Sequence, residues 1–127
     1  MKKKFYGTGV ALSTPFNDSN NIDHTAIKTL VENQIKNDVD YLVVLGSTGE
    51  AVTLTEKEKQ AAKQTVLKTN NGRVPLVLGL ANNDTSALLR GVTNTDLDGF
   101  DAVLSVAPWY NKPTQKGLYE HFISLSK

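Results

Sequence analysis

Four short apolar runs recur at a nearly even interval along the chain. They are GVALS (9–13), YLVVL (41–45), PLVLGL (75–80) and DAVLSV (101–106), and their starts lie 32, 34 and 26 residues apart. Each interval is close to the ~30 residues of one β-strand, crossover helix and return to the next parallel strand. None of the runs alternates cleanly with polar residues, which suits strands of a parallel sheet covered on both faces. Pro75 opens the third run, a position where a strand tolerates proline.

Helical patterns fill the intervals. Asp23 can cap a helix with Ile27, Leu30, Val31 and Ile35 on one stripe. Thr55 and Glu58 form a T-x-x-E capping box ahead of Ala62, Val66 and Leu67, and Gly72 is placed to stop that helix. Asp84 or Thr85 can cap a third helix with Ala87, Leu88 and Val92. Thr114 can cap a fourth with Leu118, Tyr119, Phe122 and Ile123 on one face. The order βαβαβαβα fits either an open doubly wound sheet or part of a (β/α)8 barrel. A complete barrel needs ~200–250 residues or more. The 127 residues supply half of one, and the last helical pattern reaches Lys127 without a stop signal. The expectation is a single half-barrel unit over residues 1–127, cut rather than finished.

Bulk properties exclude several classes. A composition 39% apolar and 21% charged is that of a folded globular chain, and a net charge of +1 suggests no nucleic-acid partner. The opening MKKKFYGTGVALSTPF is basic but lacks the apolar core of a signal peptide, so its lysines read as solvated. No run approaches the ~18 apolar residues of a membrane span. The absence of cysteine removes disulfides and thiolate metal sites, and agrees with a cytoplasmic setting.

In both architectures ligands gather at the carboxyl ends of the strands. The loops there are STPF (13–16), GSTGE (46–50), ANNDT (81–85) and APWYNKP (107–113). In the second, Gly46 and Gly49 permit close approach and positive φ. Ser47 and Thr48 place two hydroxyls beside their own N–H groups, a cluster able to bind a carboxylate or a phosphate. The competing reading is a plain glycine-flanked turn, and no nucleotide fingerprint is present. Glu50 reads as a helix-start carboxylate rather than a base. Tyr110, in an irregular loop, can point its phenol into a cleft to pass protons or donate to an oxyanion, while Trp109 reads as a packing plug. His24 and His121 have no second ligand nearby in the sequence, so no metal site is expected.

GTGVALSTPF, LGSTGEAVTLT and APWYNKPTQKGLYEHF together resemble the dihydrodipicolinate synthase family, within the pyruvate-dependent Schiff-base aldolases that include N-acetylneuraminate lyase. YNKPTQKGLYEHF is more similar to the synthase branch. The resemblance implies a (β/α)8 barrel, a homo-oligomer (a tetramer in the family) and condensation of pyruvate with aspartate semialdehyde in lysine biosynthesis. It implies no metal or organic cofactor, because a lysine on the sixth strand forms the Schiff base. That lysine and a second relay tyrosine would lie beyond Lys127. By resemblance, Ser47 and Thr48 hold the pyruvate carboxylate, Ser47 also belongs to a proton relay, and Tyr110 is the relay tyrosine that reaches into a neighbouring subunit. Ser47 replaces the usual threonine, and Trp109 stands where many synthases carry tyrosine. Asn83 matches an amide used in feedback inhibition by lysine, but Ala87 stands where a lysine-binding glutamate is expected, and Ala81 replaces a glycine. Two other readings stay open: a sugar-acid aldolase such as N-acetylneuraminate lyase, and a non-catalytic binding or assembly module. The isolated chain is expected to be inactive and to associate into a dimer or larger species through its open edges.

Overall fold

The computed structural model describes residues 4–127. The basic opening at 1–3 lies outside them. The chain forms β1 (Gly9–Ala11), α1 (His24–Lys36), β2 (Tyr41–Val44), α2 (Glu56–Asn70), β3 (Leu76–Gly79), α3 (Thr85–Asn94), β4 (Ala102–Leu104) and α4 (Gln115–Leu125). The strands lie side by side in the order β1-β2-β3-β4, all parallel. The register pairs Val10 with Leu42, Leu42 with Leu76 and Leu78 with Val103.

Alternation along the strands sorts their side chains. Leu42, Val44, Leu76 and Leu78 pack with Ile27 and Val31 of α1 and Ala62 and Val66 of α2 in one apolar core. Val43 and Val77, paired in register, belong to the opposite face and are also buried. Both faces being apolar explains why the runs lack alternation.

The helices begin where their caps demand. Asp23 accepts a hydrogen bond from Ala26 N–H at 2.9 Å, and Asp84 accepts from Ser86 N–H at 2.9 Å. Thr55 and Glu58 form the full capping box at the start of α2, and Thr114 caps α4. Three helix details differ from expectation. The left-handed residue that ends α2 is Asn71 (φ 46°), with Gly72 following it at φ 72°. Asparagine tolerates this region because its side chain is short and polar. In α4 the buried side chain is His121, whereas Tyr119 and Phe122 are exposed. Of the expected apolar face only Leu118 and Ile123 are half-buried, and the helix turns His121 inward. It also closes at Leu125, with Ser126 N–H donating to the Phe122 carbonyl.

An arm at the opposite end of the sheet from the strand-end loops ties the outer strands together. Lys4 pairs with Asp101 beside β4, the Phe5 ring meets Tyr41 edge to face, and Thr8 N–H donates to Asp40 at 2.6 Å. Partial burial works to raise the Asp101 pKa, but Lys4 and the Leu76 N–H outweigh it and hold the carboxyl below its usual value.

Candidate functional site

The loops at the carboxyl ends of the four parallel strands share one rim of the sheet, bonded in pairs: that after β1 to that after β2, and that after β3 to that after β4. After β2 the chain makes two short 3-10 turns, Ser47–Gly49 and Ala51–Thr53, joined by Glu50. Thr14, from the loop after β1, is buried and donates from Oγ1 to the Gly49 carbonyl at 2.7 Å. Gly79, at the end of β3, lies under the same loop. A Cβ built there would stand 2.3 Å from the Leu45 carbonyl oxygen and 2.8 Å from the Gly46 nitrogen. The Leu45–Gly46 peptide therefore rests on β3 only because residue 79 has no side chain.

Ser47 and Thr48 occupy the first positions of the 3-10 turn, where N–H groups have no acceptor within the turn. Both residues are exposed, and neither hydroxyl makes a hydrogen bond within the described residues. Two hydroxyls and two N–H groups of one exposed turn are thus without partners among the described residues. Tyr110 follows β4 on the same rim, with one strand, β3, between its strand and that of Ser47. Parallel neighbours are ~4.8 Å apart, so the two loops spring from strands roughly 10 Å apart.

The glycines of GSTGE do not supply the positive φ expected of them. Gly46 has φ −73°, and the left-handed residues are Leu45 (φ 56°) and Glu50 (φ 52°). Gly49 serves close approach instead: a Cβ there would lie 3.2 Å from the Leu12 carbonyl. Glu50 does stand at a helix start, as the N-cap residue of the second 3-10 turn, but its side chain makes no capping hydrogen bond. It links the two turns, and the acids in the first turn of α2 are Glu56 and Glu58. Tyr110 is likewise left-handed (φ 72°) and stands in no cleft, being 93% exposed. Trp109 is half-exposed rather than a buried plug. Its carbonyl accepts from Asn111 N–H at 3.0 Å and from Asn83 Nδ2 at 3.4 Å. A water-sized void of about 10 Å³ lies among Leu12, Thr14, Val44, Leu45 and Val66, and neither Ser47, Thr48 nor Tyr110 lines it.

The two histidines act between helices. His24 Nδ1 lies 2.8 Å from Thr65 Oγ1, and His121 Nδ1 lies 2.8 Å from Thr85 Oγ1. Thr65 Oγ1 also lies 2.9 Å from the Ala61 carbonyl oxygen. Among the described residues no group of three His, Asp or Glu side chains is placed to hold a metal. No helix of these residues is long and apolar enough to cross a membrane.

Residues 4–126 match the model of the Dihydrodipicolinate synthetase family. The chain belongs to that family. Among curated relatives, the 4-hydroxy-tetrahydrodipicolinate synthases of Cytophaga hutchinsonii and Flavobacterium psychrophilum are 43% and 49% identical, over 97% and 93% of this chain. The matched regions are 41% and 40% of those proteins, so the chain spans about 40% of the length of its curated relatives. Among solved structures, the dihydrodipicolinate synthase of Thermotoga maritima gives a TM-score of 0.87 at 39% identity, covering 94% of this chain and 40% of the other. The chloride-inhibited enzyme of Acinetobacter baumannii, complexed with pyruvate, gives 0.88 at 34% identity, covering 94% and 41%. The four parallel βα units thus match close to half of a dihydrodipicolinate synthase barrel.

Two residues that position this rim, Thr14 and Gly79, carry no part in the sequence reading. A glycine inside a strand run marks a close backbone approach, so Gly79 was visible in PLVLGL. Thr14 had no comparable signal, because its partner is a backbone carbonyl 35 residues away.

Proposed function

We propose that the chain is the amino-terminal half-barrel of a 4-hydroxy-tetrahydrodipicolinate synthase acting in lysine biosynthesis. The observation that carries this reading is identity of 43% and 49% to two such synthases over more than nine-tenths of the chain. The chemistry of the rim agrees with it. The hydroxyls and N–H groups of Ser47 and Thr48 suit the carboxylate of pyruvate, a planar anion needing several converging donors.

In this reading Ser47 and Thr48 fix the carboxylate and so aim the ketone carbon at a lysine amine supplied by the rest of the barrel. The amine and ketone condense with loss of water, and loss of a methyl proton gives an enamine that attacks the aldehyde carbon of aspartate semialdehyde. Ser47 and Tyr110 carry protons to and from these steps. By the family resemblance Tyr110 serves the site of a neighbouring subunit in a cytoplasmic homo-oligomer, and its exposed phenol is compatible with that role. The chain alone holds pyruvate without transforming it, since the hydroxyls cannot replace the amine, and it requires no metal or organic cofactor.

Borohydride trapping tests the reading. A longer protein containing this chain, incubated with pyruvate and borohydride, should gain one covalent adduct and lose activity, while the untreated protein should turn over aspartate semialdehyde rather than cleave sialic acid. The 127-residue chain treated identically should gain none. A stoichiometric adduct on the short chain, or none on the long one, overturns the assignment.

A further inference from the structure

The loop that carries Tyr110 is anchored twice by one short segment of the preceding βα unit. Asn83 Nδ2 reaches the Trp109 carbonyl at 3.4 Å, a long contact, and Thr85 Oγ1 meets His121 Nδ1 at 2.8 Å. The second anchor is partly buried. His121 is 2% exposed and is the buried residue of α4, and its Nε2 is enclosed with no hydrogen-bond partner. A residue needed only to fill space there would be better apolar, since an imidazole with one unpartnered nitrogen is costly to bury. Thr85 is not needed as a cap either, because Asp84 already accepts from Ser86 N–H. Both polar groups are therefore accounted for by the bond between them.

A directional bond does what apolar contact does not: it fixes the rotation of α4 about its own axis. Only Asn111, Lys112 and Pro113 separate Tyr110 from the cap Thr114, and proline restricts φ within that link. Helix orientation is thus passed directly to Tyr110. That residue holds a left-handed φ of 72° while almost fully exposed, a state that persists only when the surroundings impose it. We propose that Thr85 and His121 are positioning residues which, with Asn83, hold the Trp109–Tyr110 turn in its left-handed form on the rim. Its value to catalysis rests on the relay role assigned to Tyr110 above. The positioning itself does not.

Trp109 is the single tryptophan of the chain, so its fluorescence reports on this turn alone. Emission and acrylamide quenching are measured on the 127-residue chain at matched oligomeric state, with far-UV circular dichroism as the control for folding. Thr85→Val removes the hydroxyl and keeps the shape, and His121→Phe removes the ring nitrogens. Each should red-shift Trp109 and raise its quenching, Thr85→Ser should match wild type, and the double variant should shift no further than either single one. Wild-type fluorescence in Thr85→Val with helical signal intact, or additive shifts in the double variant, overturns the proposal. If Thr85→Val loses its helical signal, His121→Asn decides, because its amide reaches the Nδ1 position. Recovery of the wild-type signal relative to His121→Phe supports the inference, and equal red shifts in the two overturn it. None of these readouts depends on whether pyruvate is bound or trapped.

Discussion

Left-handed backbone falls on asparagine and aspartate at Asn20, Asp38 and Asn71, but on Leu45, Glu50 and Tyr110 in the loops after β2 and β4. The first three tolerate that region, while the last three are strained in it by roughly 1–3 kcal/mol each. The strain is concentrated in the two loops that carry Ser47, Thr48 and Tyr110. Gly79 is what lets Leu45 stay there. Gly79→Ala would drive a methyl group into the Leu45–Gly46 peptide. It should destabilise the chain by about 1–3 kcal/mol, the usual cost of overpacking. The loss is read as a lower urea midpoint, with shifted amide resonances at Gly46 to Glu50. Unchanged resonances there would show that the loop does not rest on β3. At this scale the sequence was partly legible. Ser47 and Thr48 are marked by their place after an apolar run. The residues that take positive φ are not, because Leu45 and Glu50 have no intrinsic preference for it and are held by tertiary contacts.

Helix starts were the most legible elements, since a cap is a local interaction written within four residues. Thr55 and Glu58 show this: the box T-x-x-E is sufficient to set the first turn of α2. Thr55→Ala should lower stability by about 0.5–2 kcal/mol in urea unfolding, and Thr55→Ser by much less. The hydroxyl of Thr55, then its N–H, hold the Glu58 carboxyl below its usual value in the folded chain. That support is lost on unfolding. Its contribution is therefore present above the unfolded pKa, about 4.3, and disappears as pH falls through the lowered folded value. The stability advantage of wild type over Glu58→Gln should shrink across that acid window. An advantage independent of pH would contradict the box as an ionised carboxylate. The face of α4 was less legible, because His121 turns inward to meet Thr85, a residue 36 positions away.

At the scale of the whole molecule, the even spacing of the runs was enough to give a parallel βα array, but not which of two architectures it serves. Curvature and closure are properties of strands acting together, and no local pattern encodes them. The strand-end motifs, through their resemblance to a family, supplied what periodicity could not. Within the described residues β1 pairs only with β2 and β4 only with β3, so both outer edges are unpaired. Leu104 and Val106 are 46% and 42% exposed beside one of them. Such edges favour association. Light scattering coupled to size exclusion should give a mass at least twice that of one chain, and a compact monomer at high concentration would count against it.

The central claim is that the serine–threonine turn after β2 grips the carboxylate of a keto-acid. Titration of the 127-residue chain with pyruvate, followed by amide resonances, tests it most directly. The account predicts saturable shifts centred on Ser47 and Thr48, which a Ser47→Ala, Thr48→Val double variant abolishes while its other resonances stay in place. Shifts that avoid this turn, or that survive the double variant unchanged, would contradict it.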